Sequence, residues 1–353
     1  MSKITFPKTN PFFKSLKQKV DNYFETTTLL RSGNVPLYVK GVLQISIMFL
    51  SYTLLILSTP SVLISILLCI MFGVTMALIG FNIMHEGGHH SFSSNNYVNN
   101  IAAYSLNVLG GNSYFWKIKH NVFHHTYTNI DGMDSDIELG PLLRMHLNQK
   151  KYWYHKYQHI YCLFLYGLSY FSWIFLQDFV KYFKGIIATG HGKQSIHWKE
   201  HVIFWLTKIV YTFVYIVIPV YFKGFGAWLI GFSIASFSCG IFIGLVFQLA
   251  HAVEGTDFPQ PTAENLITEE WAVHQIRTTA NFATKSKLVS WMLGGLNFQV
   301  EHHLFPKISH IHYPVINQFV KETCLEFGIL YNEFPTVGAA IQAHLYHVKA
   351  LGK

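Results

Sequence analysis

Apolar positions in the chain form long continuous blocks. Residues 41–84 contain no charged side chain, and the turn sequence Thr59-Pro60-Ser61 divides them. A helix needs about 20 apolar residues to cross a bilayer, so this block predicts a hairpin over about 42–58 and 62–84. A second block, 202–250, is interrupted by Lys223-Gly224-Phe225-Gly226 and predicts a second hairpin over about 202–222 and 227–250. Lys208 lies near the start of the third span, where we expect its ammonium to extend to the membrane interface.

Composition agrees with this interpretation. Apolar residues make up 51% of the 353 residues and charged residues only 12%, about half the charged fraction of soluble proteins. The four cysteines are too widely spaced for a disulfide framework or a zinc ribbon. The net charge of +8 and the basic residues of 1–40 predict a cytoplasmic N-terminus facing anionic lipid, and no nucleic-acid partner.

Three histidine clusters carry the candidate chemistry. They are His85-Glu86-Gly87-Gly88-His89-His90, His120-Asn121-Val122-Phe123-His124-His125 and Gln299-Val300-Glu301-His302-His303. Histidines four residues apart share a helix face, so His85 and His89 can hold one metal, and His120 and His124 repeat that spacing. His90 and His125 should point a quarter-turn or more away.

The number of imidazoles indicates two metals rather than one. The ligand candidates are His85, His89, His120, His124, His125, His251, His302 and His303. Eight imidazoles exceed the needs of one ion, and zinc is satisfied by four ligands. Two redox metals at a membrane surface suggest oxygen activation, with iron as the leading candidate. Apart from His90 and His274, the remaining histidines are interpreted as interfacial or solvated; they are His146, His155, His159, His191, His197, His201, His310, His312, His344 and His347.

These motifs resemble the three histidine boxes of the membrane fatty acid desaturases. The likeness covers residues 40–320 and includes Leu304-Phe305-Pro306 after the third box, Thr128-Asn129, and the spacing of Asp134 and Asp136. Gln299 replaces the usual first histidine of box three and resembles the front-end subgroup, which inserts double bonds on the carboxyl side of existing ones. Glu86 stands where relatives commonly have Asp, an acid that is not expected to bind metal.

The resemblance implies an all-α polytopic membrane protein with four transmembrane helices and a cytoplasmic helical cap that holds a diiron site. It implies two iron ions, O2, and a fatty acyl substrate linked to CoA, a carrier protein or a membrane lipid. The chain then divides into a basic cytoplasmic segment (1–40), a desaturase domain (41–320) and a cytoplasmic C-terminal segment (321–353). Candidates for a ligand or for a partner that orients a ligand are Gln299, His90, His274, Asp134, Asp136 and Glu301.

Two expectations concern the electron donor and the location. A cytochrome b5 domain, often fused to front-end enzymes, does not fit within residues 1–40. We therefore expect a separate donor of the ferredoxin or cytochrome b5 type. Bacterial linoleoyl-CoA desaturase-like members show this arrangement, so the bacterial inner membrane is favoured over the endoplasmic reticulum.

The number of membrane crossings between the first two boxes and the third determines the expected position of one further segment. Residues 157–177 are uncharged, long enough to cross, and rich in tyrosine and tryptophan. If this segment crossed the membrane, the third box would lie about 30 Å from the first two, and no shared site could form. We therefore expect an interfacial helix, with both termini and the active site on the cytoplasmic side.

Two alternatives remain open from the sequence. A lipid hydroxylase or other oxygenase of the same superfamily would use the same boxes. In a different class, a zinc-dependent membrane receptor or a metal transporter would also carry membrane-associated histidines. Its histidines would be expected within the spans rather than just outside them.

Overall fold

The computed structural model describes residues 4–190 and 192–353 and is mostly helical there. His191 lies outside the described residues, as do residues 1–3. The two short strands, β1 (Asn281–Phe282) and β2 (Glu333–Phe334), pair in parallel. In chain order the helices are α1 (Pro11–Thr27), α2 (Val35–Leu57), α3 (Val62–Gly88), α4 (Asn96–Val108), α5 (113–127), α6 (Trp153–Gly167), α7 (Ser169–Lys184), α8 (Trp198–Lys223), α9 (Phe225–His251), α10 (Trp271–Arg277), α11 (Lys287–Leu293), α12 (Gln299–Leu304), α13 (Tyr313–Phe327) and α14 (Val337–Gly352).

Four helices are long and apolar enough to cross a membrane, as predicted: α2, α3, α8 and α9. Helix α2 begins earlier than the apolar pattern indicates, because the Asn34 side chain accepts from the Leu37 N–H and caps its first turn. Gly224 joins α8 to α9 with φ of 80°, a backbone conformation that a glycine adopts without strain. Helices α3 and α9 pack tightly at Gly73, where any side chain would meet the backbone of Ala235.

The expectation that Lys208 extends to the membrane interface is wrong. Its side chain is buried, and Nζ donates to the carbonyl oxygens of Gly110 at 2.8 Å and Ile174 at 2.9 Å. Nζ also lies 3.2 Å from the carboxylate of Asp178. A buried ammonium group requires such partners, so it bonds inward and connects α8 to the α7 region rather than to water.

The segment expected at the interface forms α6 and α7, which are bent by 59° relative to each other. Together they are long enough to be a broken span, so their interfacial position stays a prediction. The site described below favours it, because all three histidine clusters meet on one side of the four-helix bundle. That meeting requires an even number of crossings between them.

The cap is built from segments that are distant in sequence. Helix α1 buries Phe12, Leu16 and Val20 in a core shared with Ile276 of α10 and Val300 of the third cluster. At the other end of the chain, the Gln158 Nε2–H of α6 donates to the Val348 carbonyl oxygen of α14 at 2.7 Å. Both terminal helices thus pack against segments that are distant in sequence.

Candidate metal centre

Eight buried histidines meet where α3 and α9 end. None is more than 5% exposed. Seven of them form two groups, in each of which the candidate ligand nitrogens lie within 4.8 Å of one another. The first group is His85, His89, His120 and His302, and the second is His124, His251 and His303. The eight histidines named from the sequence, including His251, therefore lie together.

His125 lies between the two groups. Its ring stacks on His303 with centroids 4.4 Å apart, and its centroid lies 4.6 Å from that of His302. Its Nε2 also lies 3.3 Å from His120 Nε2. The two groups therefore form one continuous cluster of imidazoles.

Backbone geometry explains which histidines share a group. His85 and His89 lie within one group, as their spacing predicts. Residues Ile118–His124, however, form a π-helix, in which residues five apart lie one above the other. His125 therefore comes close to His120 instead of pointing a quarter-turn away, and that expectation is wrong. A further group of His120, His124 and Asp136 retains the expected proximity of His120 and His124.

Carboxylates orient His124 as expected from the sequence. The His124 Nδ1–H donates to the Asp134 carboxylate, with oxygens at 3.0 and 3.2 Å, and Asp136 Oδ2 lies 3.3 Å from the same nitrogen. Asp134 also accepts from the backbone N–H of Asn129 at 2.9 Å, which fixes the carboxylate. Such bonds fix the tautomer of a metal-binding histidine and direct its other nitrogen inward.

Two further orienting partners lie far from the boxes in sequence. The His303 Nδ1–H donates to Gln275 Oε1 at 2.7 Å, and His302 Nδ1 lies 3.3 Å from the Tyr313 hydroxyl. Sequence reasoning missed both residues. No spacing signal marks them, because α10 and α13 meet the boxes only through folding.

A buried network behind the first box was also missed. The His310 backbone N–H and Nδ1–H both donate to Glu86 Oε1, at 2.9 and 2.8 Å. Lys40 Nζ, itself buried, lies 3.0 Å from His310 Nε2. Glu86 thus connects the first box, through His310, to the loop after the third box. Its carboxylate bonds His310 and is not placed as a metal ligand.

Electrostatics and hydrogen bonding leave the cluster ready to bind metal. Burial, and then the neighbouring imidazoles, hold the pKa of His89, His120, His125, His302 and His303 well below its usual range. The lowered pKa favours the neutral form of these rings, which has a nitrogen lone pair that can bind a metal.

His124 has the opposite shift. Burial alone would lower the pKa of its imidazole, but Asp134 and then Asp136 outweigh burial and raise it. Its Nε2 nevertheless lies buried without a hydrogen-bond partner, as do the Nε2 atoms of His89, His302 and His303. Buried polar atoms in native proteins have partners. A set of inward nitrogens lacking them fits imidazole-binding metals.

The remaining candidates have separate roles. The Gln299 Nε2–H donates to His251 Nε2 at 2.9 Å, so Gln299 contacts a candidate ligand. His90 is exposed, and its Nδ1 lies 3.2 Å from Asn96 Oδ1. His274 is buried against Phe6 and belongs to neither group, so the expected contact with the metal site is not seen for His90 or His274.

Glu301 does not orient an imidazole, contrary to expectation. Its carboxylate accepts from Asn281 Nδ2 at 2.6 Å and from Asn317 Nδ2 at 3.0 Å, which ties α12 to β1 and α13. Burial raises the pKa of Glu301 to about 7. The helical backbone directs this side chain away from the neighbouring His302.

The interpretation of the scattered histidines as interfacial or solvated is wrong for five of the nine that the structure describes. His197 and His201 are exposed as expected. The buried ones are His146, His155, His310, His312 and His344. Hydrogen bonds offset the free-energy cost of burying these polar rings. For example, His344 bonds the Tyr166 hydroxyl at 2.9 Å and the Ala252 carbonyl oxygen at 2.7 Å.

A cavity of about 680 Å³ adjoins the first group of histidines. Its walls include His120 itself, the rings of Trp116, Trp173 and Phe247, and Lys181. Trp116 stacks on His120, with centroids 4.6 Å apart. The cavity therefore brings a largely apolar surface against the cluster, with an ammonium group in its wall.

The chain is similar in sequence to known proteins. The family model described as "Fatty acid desaturase" matches residues 60–335. The sn-1 linoleoyl-lipid 6-desaturase of Arthrospira platensis is 35% identical over 99% of this chain and 95% of its own length. The corresponding enzyme of Synechocystis sp. is 33% identical over 99% and 98%. The acyl-lipid (8-3)-desaturase of Physcomitrium patens is 35% identical over 97% of this chain and 72% of its own.

The receptor and transporter alternatives gain no support from these relatives, which are named as desaturases. The four apolar helices, the buried histidine cluster and the cavity beside it all agree with the family match. The cluster is accordingly a metal centre, and the substrate is a fatty acyl chain in a membrane lipid context. The chain belongs to the fatty acid desaturase family and is a membrane-bound oxidoreductase that desaturates fatty acyl chains.

Proposed function

We propose that the enzyme holds two iron ions and uses O2 to insert a cis double bond into a lipid-linked acyl chain, on the carboxyl side of an existing double bond. The observation that carries the proposal is the pair of imidazole groups, with inward nitrogens that lack partners, beside an apolar cavity. Imidazoles suit iron, and two groups accommodate two ions.

The residues divide naturally between the two ions. His85, His89, His120 and His302 would hold one ion, and His124, His251 and His303 the other. His125, between the groups, is available to either. Iron supplies the activation of O2 that breaks an unactivated C–H bond, chemistry that no amino-acid side chain provides.

The protein's own residues prepare the site. Asp134 and Gln275 hold the Nδ1–H atoms of His124 and His303, so these imidazoles present Nε2 inward and cannot rotate. Burial of all eight rings excludes bulk water, which would otherwise compete for the metal and quench reactive species. Gln299 acts differently, because its Nε2–H donates to His251 Nε2, and this hydrogen bond would have to break for His251 to bind an ion through that nitrogen.

The cavity positions the acyl chain. Its apolar walls favour a hydrocarbon by the hydrophobic effect, and they bring one stretch of the chain to His120 and Trp116. Lys181 in the same wall offers a positive charge that suits a polar or anionic headgroup. The proposed lipid linkage also draws support from the relatives, whose names specify linoleoyl-lipid and acyl-lipid substrates.

The overall reaction needs further reactants. Converting CH2–CH2 to CH=CH releases two electrons and two protons, whereas reducing O2 to two water molecules takes up four of each. Two electrons must therefore come from a donor, which we infer to be a separate ferredoxin or cytochrome b5 type protein. The basic N-terminal segment supports a cytoplasmic active site, and we favour a bacterial inner membrane over the endoplasmic reticulum.

Product analysis tests this proposal. The protein is expressed in a host without polyunsaturated lipids, which is supplied in parallel with stearate, oleate or linoleate. New double bonds are located by mass spectrometry, with His302→Ala as the inactive control. We expect a new bond nearer the carboxyl end of the unsaturated chains. Activity confined to stearate would overturn the front-end assignment, and a hydroxylated product would overturn desaturation.

A further inference from the structure

The metal centre lies too deep for direct contact with a donor protein. None of the eight clustered histidines is more than 5% exposed. The proposed function nevertheless requires two electrons from outside for each double bond. A connection between the cluster and the protein surface is therefore needed.

Trp271, the first residue of α10, provides such a connection. Its indole Nε1–H donates to the backbone carbonyl oxygen of His125 at 3.0 Å, and its ring is partly exposed. A hydrogen bond and a conjugated ring couple two sites electronically better than an empty gap of the same length. The histidine at the inner end is the one between the two groups, within 4.6 Å of the rings of both His302 and His303.

Two further rings pack beside Trp271, the partly exposed Phe13 and the buried Phe305. Phe13 packs edge-on against Trp271, with centroids 5.6 Å apart, and stacks with Phe305 at 5.7 Å. Glu270 fixes the arrangement, because its buried carboxylate accepts from the backbone N–H of Phe12 and of Phe13 at 3.3 and 2.9 Å. We call Trp271, Phe13 and Phe305 the aromatic port.

The other tryptophan that touches the cluster has a different position. Trp116 stacks on His120 but forms part of the cavity wall, where the acyl chain is expected. A protein cannot dock inside that cavity. Of these two tryptophans, Trp271 is the one that leads toward the outer surface of the cap.

Charge around the port indicates the kind of partner. Three exposed lysines lie close to these rings along the chain. Lys8 and Lys14 lie within five residues of Phe13, and Lys307 lies two residues after Phe305. The adjacent carboxylates are engaged: Glu269 pairs with Arg277, and Glu270 caps the start of α1. The port is therefore flanked by unbalanced positive charge, which attracts an acidic face and accelerates docking.

We propose that the aromatic port is the docking site and electron entry for a small acidic one-electron carrier protein. The inference rests on the proposed metal centre. Two reduced carriers dock in turn, and each is oxidised by one electron, which supplies the two electrons per double bond. Trp271 is the medium between carrier and centre, and it undergoes no net oxidation or reduction. It is a positioning residue for electron transfer and does not touch the substrate.

The first test measures the rate at which the carrier is oxidised. The iron-loaded protein, with its irons in the ferric state so that each can accept one electron, is mixed without O2 with a reduced [2Fe–2S] ferredoxin, and ferredoxin absorbance is followed by stopped flow. Trp271→Leu should slow oxidation about tenfold, and Trp271→Phe, which loses only the N–H···O bond, should slow it less. Trp153→Leu, at a tryptophan that is 77% exposed on α6, is the matched control and should match the wild type.

The second test measures docking without any metal. Binding of the same ferredoxin to the metal-free protein is titrated at several salt concentrations. The triple variant Lys8→Glu, Lys14→Glu and Lys307→Glu should bind ferredoxin more weakly, and its affinity should depend less on salt concentration. The same change at three exposed lysines on other elements, Lys156, Lys287 and Lys349, should have the smaller effect. Equal effects of both triple variants would overturn the docking site.

Chemical reduction separates the port from the function on which it rests. Wild-type protein reduced by dithionite and then given substrate and O2 should form product in a single turnover. If it does not, the proposed function is wrong. If it does, but ferredoxin is oxidised equally fast by Trp271→Leu and the wild type, the port is wrong. Unchanged iron content in Trp271→Leu shows that the variant is folded.

Discussion

Replacing Asp134 by Asn tests whether the bonds that orient the histidines determine metal binding. The carboxylate is 1% exposed and accepts from His124 Nδ1–H at 3.0 and 3.2 Å. An Asn side chain of the same shape removes the negative charge that raises the pKa of His124. It also presents an NH2 group to backbone N–H donors that the carboxylate now satisfies.

The size of the effect follows from these contacts. Loss of a partner that orients a metal-binding histidine lowers metal affinity about 10–100-fold, or about 1.4–2.8 kcal/mol. Asp136 Oδ2 lies 3.3 Å from the same nitrogen and can retain part of the bond. We therefore expect Asp134→Asn to lower iron affinity by about 10–30-fold, near the lower limit of this range. The double variant with Asp136→Asn should lower iron affinity by about 100-fold.

Chelator competition measures this affinity directly. Iron is withdrawn from the detergent-solubilised protein by a chelator of known affinity, with thermal unfolding followed in parallel. Glu301→Gln is the matched control, since Glu301 adjoins His302 in sequence but hydrogen-bonds Asn281 and Asn317. Its iron affinity should be unchanged. Wild-type affinity in Asp134→Asn, or an equal loss in both variants, would refute the orienting role.

Three further predictions follow from the same structure. Seven of the box histidines should each be essential: Ala at His85, His89, His120, His124, His125, His302 or His303 should abolish desaturation and lower bound iron. His251→Ala should do the same; full activity in two box variants would contradict the ligand assignment. In a cysteine-free background, single cysteines near Lys150 and Lys193 should both resist an impermeant reagent from outside, while one near Gly224 should react; labelling of only one of the first two would refute the four-span topology. Lys208→Met leaves Asp178 buried without its partner and should destabilise the protein by about 3–5 kcal/mol, seen as a lower unfolding temperature; an unchanged temperature would contradict a buried ion pair.

The features predicted best from the sequence are those that depend on local pattern. Hydrophobic run length predicts α2, α3, α8 and α9, because a bilayer sets a minimum helix length. Histidine spacing predicts that His85 and His89 share a group. The place of His251 at the end of the fourth span puts it at the level of the first box, and the structure brings it to the cluster.

The features missed from the sequence depend on tertiary contacts or on irregular backbone. The π-helix at Ile118–His124 changes the direction of His125, and single-sequence periodicity assumes 3.6 residues per turn. Gln275 and Glu86 bond their histidine partners only after folding brings distant segments together. Glu301, by contrast, is adjacent in sequence to His302 and still faces away from the cluster.

The most direct test of the account is the metal content of the purified, active wild-type protein. Elemental analysis per chain is combined with Mössbauer spectroscopy after growth on ⁵⁷Fe. Two groups of clustered imidazoles predict two iron ions per chain in histidine-rich environments. One zinc ion per chain, in a preparation that still desaturates added acyl chains, would contradict the diiron centre.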